Sequence, residues 1–349
     1  MTLQKLRPVA AFAALLFLVL RPAVAAANRD WTKNPAIVRI DRQPERLFAI
    51  GDVHGDYKRV LDLLRRAGLI GSKPKHPGEA QWTGGNAVLV QTGDLIDKGP
   101  RSVDVIRLFA ALRASASRAG GQVVITMGNH EAEFLAGPNE DKAKDFLDDL
   151  KRNHLDETAV LRCQGDIGEF LCALPFGAKV GDWFFSHAGN TAGRTIARLN
   201  QDLEQGVTKD GFASVQLADP NSLLEARLGE GKVWFHPSDK GPEPKKTERE
   251  ILAADAAALG VSHMVQGHQP SNVTFADGVA RVKGEMFQRW GLLFLIDTGM
   301  SRKIKDSKGA FLRIAPNGQA TAVCPGGLET VLWDEASRQD ASRAAPCAR

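Results

Sequence analysis

Short apolar runs alternate with amphipathic segments in the first part of the chain. Runs with the length of buried strands lie at 47–50, 87–90 and 123–126. Between them, 57–67 and 103–112 repeat apolar residues with a helical period, and 71–86 has the Gly, Pro and Lys content of a surface loop. This β-α-β-α-β order predicts an α/β sheet with crossover helices.

The second part of the chain repeats the same elements less regularly. Further strand-like runs lie at 183–186, 264–266, 292–296 and 311–314. Residues 138–175 form a charged, helical region, and mostly helical patterns fill 191–260. Within the latter, 237–246 is a polar, Pro-rich excursion that we expect to be mobile. We predict one domain over 26–349, with a helical insert at about 191–260.

The first 25 residues differ from the rest of the chain. Lys5 and Arg7 precede an apolar stretch at 9–20, and Arg21 and Pro22 then lead to Ala-Val-Ala at 23–25. This order is typical of a secretory signal peptide, cleaved after residue 25 or 27, and predicts export to the periplasm. A membrane anchor is the alternative, but the stretch is shorter than the roughly 20 residues that span a bilayer. We therefore expect no stable membrane span after cleavage.

Removal of this leader changes the charge of the chain. The whole sequence of 349 residues is 43% apolar and 25% charged, as in globular proteins, with a formal net charge of +4. The leader carries three basic residues and no acidic one, so the mature chain has 42 basic against 41 acidic residues. A net charge of about +1 gives no reason to expect nucleic acid or a membrane surface as a partner.

The four cysteines all lie outside the leader, and an exported chain can oxidise them. Four cysteines allow three pairings. We favour the pairs closest in sequence, Cys163 with Cys172 and Cys324 with Cys347; four unpaired thiols are the alternative.

Polar residues follow five of the apolar runs, mostly beside glycine. These residues are Asp52 and His54 in GDVHG, Asp94 and Asp97 in GDLIDKG, Asn129 and His130 in GNHE, His187 in SHAG, and His268 in GHQ. Because ligands bind at the carboxyl ends of strands in α/β sheets, these side chains should converge. Asp, Asn and His donors without Cys suit Mn, Fe or Zn. Six of these residues are candidate ligands: Asp52, His54, Asp94, Asn129, His187 and His268. Six ligands suggest two ions that share a carboxylate, a centre suited to in-line attack at phosphorus.

These five ordered motifs resemble the calcineurin-like metallophosphoesterase superfamily over about 46–300. Within it, the chain is most similar to the phosphoprotein phosphatase branch and its Shewanella-like members, on the further evidence of IDTGMS at 296–301 and of Val233-Trp234. The resemblance implies a central β-sandwich of mixed sheets flanked by helices. It also implies hydrolysis of phosphomonoesters by a metal-bridging hydroxide.

The resemblance also implies individual roles. The first metal ion would be held by Asp52, His54 and Asp94, and the second by Asp94, Asn129, His187 and His268. His130 resembles the general acid that protonates the leaving oxygen, and Asp97 the carboxylate that orients it. Glu131 is expected to support the metal-binding turn.

The chain departs from the family at its phosphate contacts. Lys98 stands where the family usually has Arg, so the compact ammonium charge of a lysine replaces a planar guanidinium that can bind phosphate through two hydrogen bonds. Arg101, three residues on, is a candidate for the fork role, with Asn129 as a further phosphate contact. His236 is another candidate, although an ordinary loop histidine is the alternative.

Three functions compete at this point. The first is a phosphatase acting on a phosphorylated protein or a small phosphoester. The second is a nucleotide or dinucleoside polyphosphate hydrolase similar to the symmetrical diadenosine tetraphosphatases, which share GDVHG and a GDL-x-x-x-GP-x-S run. The third, a catalytically inactive binding module, would require a lost ligand or acid, and none is lost. Asp97 and IDTGMS favour the first.

Overall fold

Two mixed β-sheets form the centre of the protein in the computed structural model, which describes residues 29–229, 232, 234, 246–336 and 342–347. The predicted leader at 1–25, His236 and most of the Pro-rich excursion at 237–246 lie outside the described residues. The strands are β1 (Ile37–Ile40), β2 (Leu47–Ile50), β3 (Val88–Gln91), β4 (Gln122–Ile125), β5 (Gly177–Val180), β6 (Trp183–Ser186), β7 (His263–Gln266), β8 (Val273–Thr274), β9 (Ala280–Arg281), β10 (Glu285–Arg289), β11 (Leu293–Leu295), β12 (Phe311–Ile314), β13 (Ala320–Val323), β14 (Glu329–Trp333) and β15 (Arg343–Pro346).

Helices connect and cover these strands. They are α1 (Tyr57–Arg66), α2 (Ser102–Arg118), α3 (Asn129–Ala136), α4 (Lys144–Arg152), α5 (Glu157–Leu161), α6 (Gly165–Cys172), α7 (Ile196–Asp210), α8 (Val215–Ala218) and α9 (Glu248–Leu259), with short 3₁₀ turns at Pro77–Glu79 and Gly211–Ala213. Among the described residues, no helix combines the length and apolar character that a bilayer crossing requires.

Each sheet combines parallel and antiparallel pairs. One sheet has the order β14-β13-β12-β2-β3-β4, and its parallel part is β2-β3-β4. The other has the order β1-β5-β6-β7-β11-β10-β15, and its parallel centre is β6-β7-β11. The parallel strands of both sheets end at the same edge of the sandwich, because residues that follow β2 and β7 contact each other there.

Strand residues alternate between two interiors, as the two-residue period of a strand requires. In β2, Leu47 and Ala49 face the core between the sheets, whereas Phe48 and Ile50 face the helix-covered side. The neighbouring strands β3, β6 and β7 alternate in the same way. Both faces of each central strand are therefore buried, which explains their continuous apolar sequence. The predicted sandwich of mixed sheets flanked by helices is confirmed.

Some elements differ from the sequence prediction. Helix α2 extends to Arg118, beyond the predicted end at 112, because the residues after Leu112 are mostly Ala, Ser and Arg, which continue a helix without continuing its apolar face. Strand β5 was not predicted, since its sequence GAKV has no apolar run of strand length. Edge strand β15, with the sequence RAAP, was not predicted for the same reason.

Both favoured disulfides are present. Cys163 pairs with Cys172 and joins the ends of α5 and α6. Cys324, directly after β13 of one sheet, pairs with Cys347, directly after β15 of the other. The second bond therefore ties the two sheets of the sandwich together, at a typical stabilisation of about 2–4 kcal/mol.

Candidate metal centre and active site

Asp94 lies at the centre of the converging strand ends. It follows β3 and is almost fully buried, and its two carboxylate oxygens face different histidines. Oδ2 lies 3.4 Å from Nε2 of His54, which follows β2, and Oδ1 lies 3.3 Å from Nε2 of His187, which follows β6. One carboxylate thus connects the two sheets and presents one oxygen to each side.

On the His54 side of Asp94, the GDVHG turn supplies His54, and the same turn supplies Asp52, which groups with His187. Asp52 Oδ2 lies 3.9 Å from His54 Nε2, and Asp52 Oδ1 accepts a hydrogen bond from the backbone N–H of His268 at 3.0 Å. The Lys98 ammonium lies 3.2 Å from His54 Nε2, so this ring nitrogen acts as an acceptor toward a cation.

On the other side, three donors from three strand ends converge. His187 Nε2 lies 3.1 Å from Asn129 Oδ1 and 3.1 Å from His268 Nδ1. His187 also donates from Nδ1 to the Thr92 carbonyl at 2.8 Å, which fixes the tautomer and leaves the Nε2 lone pair directed at the cluster. The structure brings together all six side chains predicted as ligands.

Burial controls the protonation of these groups. It lowers the pKa of His187 to about 4 and holds the pKa values of His54 and His268 well below the ordinary value, so the imidazoles are neutral. Burial also raises the pKa of Asp94 to about 7. The pKa of Asp52 is raised by burial and by repulsion from neighbouring carboxylates. Neutral imidazoles beside crowded carboxylates form a donor set that a divalent cation stabilises.

The donor set fits two ions. Within each of two groups, all donor atoms lie within 4.8 Å of one another: His54, Asp94 and His130 form one group, and Asp52, Asp94 and His187 form the other. Asp52 therefore groups with His187, whereas the family resemblance placed it with His54 on the first ion. Asp94 belongs to both, as expected of a shared ligand. His130 lies in the first group, although the sequence comparison gave it the role of an acid.

His130 and Asp97 form a buried pair beside the cluster. His130 Nδ1 lies 2.8 Å from Asp97 Oδ2, and its Nε2 lies 4.0 Å from Asp94 Oδ2. Burial raises the pKa of Asp97 to about 8, with repulsion from Glu131 and Asp94, and burial lowers the pKa of His130. The pair leaves the Nε2 atom of His130 turned toward the metal ligands.

Glu131 holds the turn that carries Asp94. Its Oε2 accepts hydrogen bonds from the backbone N–H groups of Asp94 and Gly128, at 2.9 and 2.8 Å. Its Oε1 accepts from Leu95 and Ile96, at 2.7 and 3.1 Å. One buried carboxylate therefore fixes the GDLID turn against the GNHE turn, which is the supporting role predicted for it.

The backbone at the site is strained. Left-handed φ values occur at His54 (47°), Asp94 (56°), Asp97 (61°), Lys98 (47°) and His268 (67°). Each costs on the order of 1–3 kcal/mol, and such strain persists only where the surrounding structure requires it. Glycine is required next to these residues, since a Cβ at Gly128 or Gly267 would overlap the carboxylate of Asp94 or Asp52.

Comparison with known families decides the assignment. The Calcineurin-like phosphoesterase family model matches residues 45–272, more than half of the chain and all six predicted ligands. The chain belongs to the calcineurin-like phosphoesterase family. It is accordingly a phosphoester hydrolase.

Individual relatives agree with this assignment. "Uncharacterized protein C1840.07c" of Schizosaccharomyces pombe is 30% identical to the phosphoesterase over 289 residues, covering 79% of this chain and 79% of that protein. "Shewanella-like protein phosphatase 2" of Arabidopsis thaliana is 27% identical over 325 residues, covering 78% of this chain and 75% of that protein. The predicted resemblance is confirmed.

Solved structures show the same fold. A cold-active protein tyrosine phosphatase superposes on the phosphoesterase with a TM-score of 0.64 at 21% identity, covering 87% of this chain and 82% of that chain. In contrast, the symmetrical bis(5'-nucleosyl)-tetraphosphatase of Enterobacter sp. (strain 638) is 33% identical over only 110 residues, covering 31% of this chain and 32% of that protein.

A cavity of about 390 Å³ opens over the ligands of the phosphoesterase; we call it the active-site cavity. Its lining includes Asp94, Asn129, His130 and His268, together with the cations Lys98, Lys142, Lys144, Arg227 and Lys303. Lys142 pairs with Glu133, Lys144 with Asp148 and Lys303 with Asp145. Among the described residues, no carboxylate lies within 4.0 Å of the charged groups of Lys98 or Arg227.

Arg101 is not part of this cavity. Its guanidinium lies 4.3 Å from the ring centroid of Tyr57, and its Nε pairs with Asp104 at 2.5 Å. The structure therefore brings Lys98 to the metal ligands but places Arg101 beside a neighbouring cavity.

Sequence reasoning missed several residues of the site, among them Asp297 and Arg227. Asp297 follows β11, is buried, and raises the pKa of Asp52 by repulsion; the strand-end rule that selected Asp52 applies to it as well. Arg227 lies in the irregular segment between α8 and α9, where no periodic pattern marks it. The candidate His236 lies outside the described residues.

Proposed function

We propose that this phosphoester hydrolase is an exported phosphoprotein phosphatase that works with two divalent ions, for which Mn, Fe or Zn suits the mixed oxygen and nitrogen donors. The shared position of Asp94, with one oxygen toward His54 and the other toward His187, carries the two-ion part of the proposal. A relative named a protein phosphatase, similar over 78% of this chain, supports the protein substrate.

The ion ligands proposed are Asp52, His54, Asp94, Asn129, His187 and His268. When bound, two divalent ions lower the pKa of a water molecule and stabilise negative charge on phosphoryl oxygens. The chain itself supplies the unpaired cations of the active-site cavity. Lys98 and Arg227 face the space where the phosphate binds, and the planar guanidinium of Arg227 offers the bidentate geometry that Lys98 lacks.

His130 is proposed as the general acid. Its Nδ1 contacts Asp97, so the carboxyl group fixes the orientation of the ring, while Nε2 faces the cavity. From there, Nε2 delivers a proton to the oxygen of the leaving alcohol or phenol. Such a contribution is typically worth 10²–10⁴-fold in rate.

The second candidate is a dinucleoside polyphosphate hydrolase. Its support is the local match to the symmetrical tetraphosphatases, which covers 31% of this chain. The longer similarity to a phosphatase, together with the His130–Asp97 pair, favours the phosphoprotein substrate.

Export is proposed on the leader pattern at 1–25, and two disulfides support an oxidising compartment. N-terminal sequencing of the protein from a periplasmic extract should give a start at residue 26 or 28. An intact Met1 on protein retained in the cytoplasm would contradict export.

Substrate preference tests the proposed function. We expect kcat/KM of the Mn²⁺-loaded protein on a phosphotyrosine or phosphoserine peptide to exceed that on diadenosine tetraphosphate by at least about tenfold. Chelation should abolish peptide hydrolysis and Mn²⁺ should restore it. A preference for the dinucleotide would support the second candidate, and activity unaffected by chelation would exclude the two-ion mechanism.

His130→Asn tests the acid. We expect the rate on an alkyl phosphate to fall by about 10²–10³-fold, and that on 2,4-dinitrophenyl phosphate, whose leaving group needs no proton, to fall far less. Equilibrium dialysis should still find two Mn²⁺ ions per chain. His76→Asn, in an exposed loop, is the control. Loss of an ion would instead make His130 a ligand, and equal losses on both substrates would remove it as the acid.

A further inference from the structure

A second cavity, of about 260 Å³, lies beside the active-site cavity; we call it the basic cavity. Helix α1 forms its floor through Tyr57 and Leu61, both buried. The cations around it are Lys58, Arg65, Lys73, Arg101 and Arg302, and the acidic residues are Asp56 and Asp62. None of these side chains is a proposed metal ligand, and none belongs to the His130–Asp97 pair.

The two cavities have no lining residue in common, but residues close in sequence line both of them. Lys98 lines the active-site cavity, and Pro100 and Arg101 of the same turn line the basic cavity. Similarly, Lys303 lines the first and its neighbour Arg302 lines the second. Because consecutive Cα atoms are 3.8 Å apart, the Cα atoms of Lys98 and Arg101 are at most about 11 Å apart, so a peptide with its phosphate over the predicted metal ligands needs only on the order of a few residues to reach the basic cavity.

The cations of the basic cavity are of two kinds. Arg101 and Arg302 each pair with a carboxylate, Asp104 at 2.5 Å and Asp56 at 3.5 Å. Lys58, Arg65 and Lys73 are exposed as well, but no carboxylate of the described residues lies within 4.0 Å of their charged groups. The two arginines are therefore partly neutralised, whereas the other three cations remain available for a ligand.

We infer that the basic cavity binds acidic side chains that flank the phosphorylated residue of a peptide substrate. This inference rests on the proposed function. The local excess of positive charge supports the inference: five cations and two carboxylates line the basic cavity, whereas the mature chain as a whole is nearly neutral. The apolar floor and the distance of a few residues fit a peptide in extended conformation better than a compact phosphoester.

Competition between peptides and p-nitrophenyl phosphate tests the inference. One set of phosphopeptides carries two Glu residues within four positions on either side of the phosphoresidue, and the matched set carries Gln there. The Mn²⁺-loaded full chain is assayed at low salt. We expect the peptide whose Glu residues lie on the side of the phosphoresidue that reaches the basic cavity to bind about five- to tenfold more tightly than its Gln counterpart. Salt at 0.5 M should reduce this preference, since exposed charge pairs are screened.

The variant Arg65→Gln/Lys73→Gln should bring the Glu-to-Gln ratio close to one. Arg66→Gln is the matched control, because Arg66 is the next residue of α1 but lies beside Gly327, away from the basic cavity. That variant should keep the preference of the unaltered protein. No preference in the unaltered protein, or the same loss in Arg66→Gln, would overturn the inference.

This binding readout separates the inference from the proposed function. Inhibition is measured whether or not a peptide is cleaved. A Glu peptide that binds preferentially but is not cleaved would contradict the phosphoprotein phosphatase and support the basic cavity. Cleavage of both peptides with equal binding would support the phosphatase and would overturn the proposed binding of acidic side chains in the basic cavity.

Discussion

The carboxylate of Asp94 is the group on which the rest of the site depends. Its two oxygens face His54 and His187, which follow strands of different sheets, so one side chain connects both halves of the sandwich. Glu131 fixes the backbone of Asp94, and neighbouring glycines leave room for its oxygens. Burial raises the pKa of Asp94 to about 7, so its ionised form needs positive charge nearby.

This arrangement explains why an otherwise stable fold carries strain and crowded carboxylates. Left-handed backbone at His54, Asp94 and His268 turns their side chains into one small volume. Divalent cations bound to the assembled donors would offset the cost of these conformations and of the buried charges. The buried apolar faces of β2, β3, β6 and β7 hold the strand ends in register while this strain is present.

Much of this site could be predicted from the sequence because strand ends are local features. An apolar run followed by Gly and Asp or His predicts both the strand and the ligand, as at Asp52, Asp94 and His268. Arg227 could not be found in this way, because it reaches the cavity from an irregular segment whose path depends on tertiary packing. Arg101 shows the converse: its spacing suggested a phosphate contact, but Tyr57 and Asp104 hold its guanidinium elsewhere.

The fold, like the site, has features that the sequence predicts and features that depend on tertiary structure. The central strands β2, β3 and β6 were predicted because both of their faces are buried, whereas β5 and β15, although of the same length, lack apolar runs. The sequence-local cysteine pairs were also predicted, but the role of Cys324–Cys347 in tying two sheets became apparent only from the topology.

The ion stoichiometry of Asp94→Asn tests the central claim most directly. We expect equilibrium dialysis with Mn²⁺ to find two ions per unaltered chain and to show at least about a 100-fold loss of affinity for both ions in Asp94→Asn. Asp141→Asn, a change of the same kind on the exposed rim of the active-site cavity, should retain both ions. Circular dichroism should confirm that each variant is folded. A folded Asp94→Asn protein that keeps both ions at unchanged affinity would contradict the account.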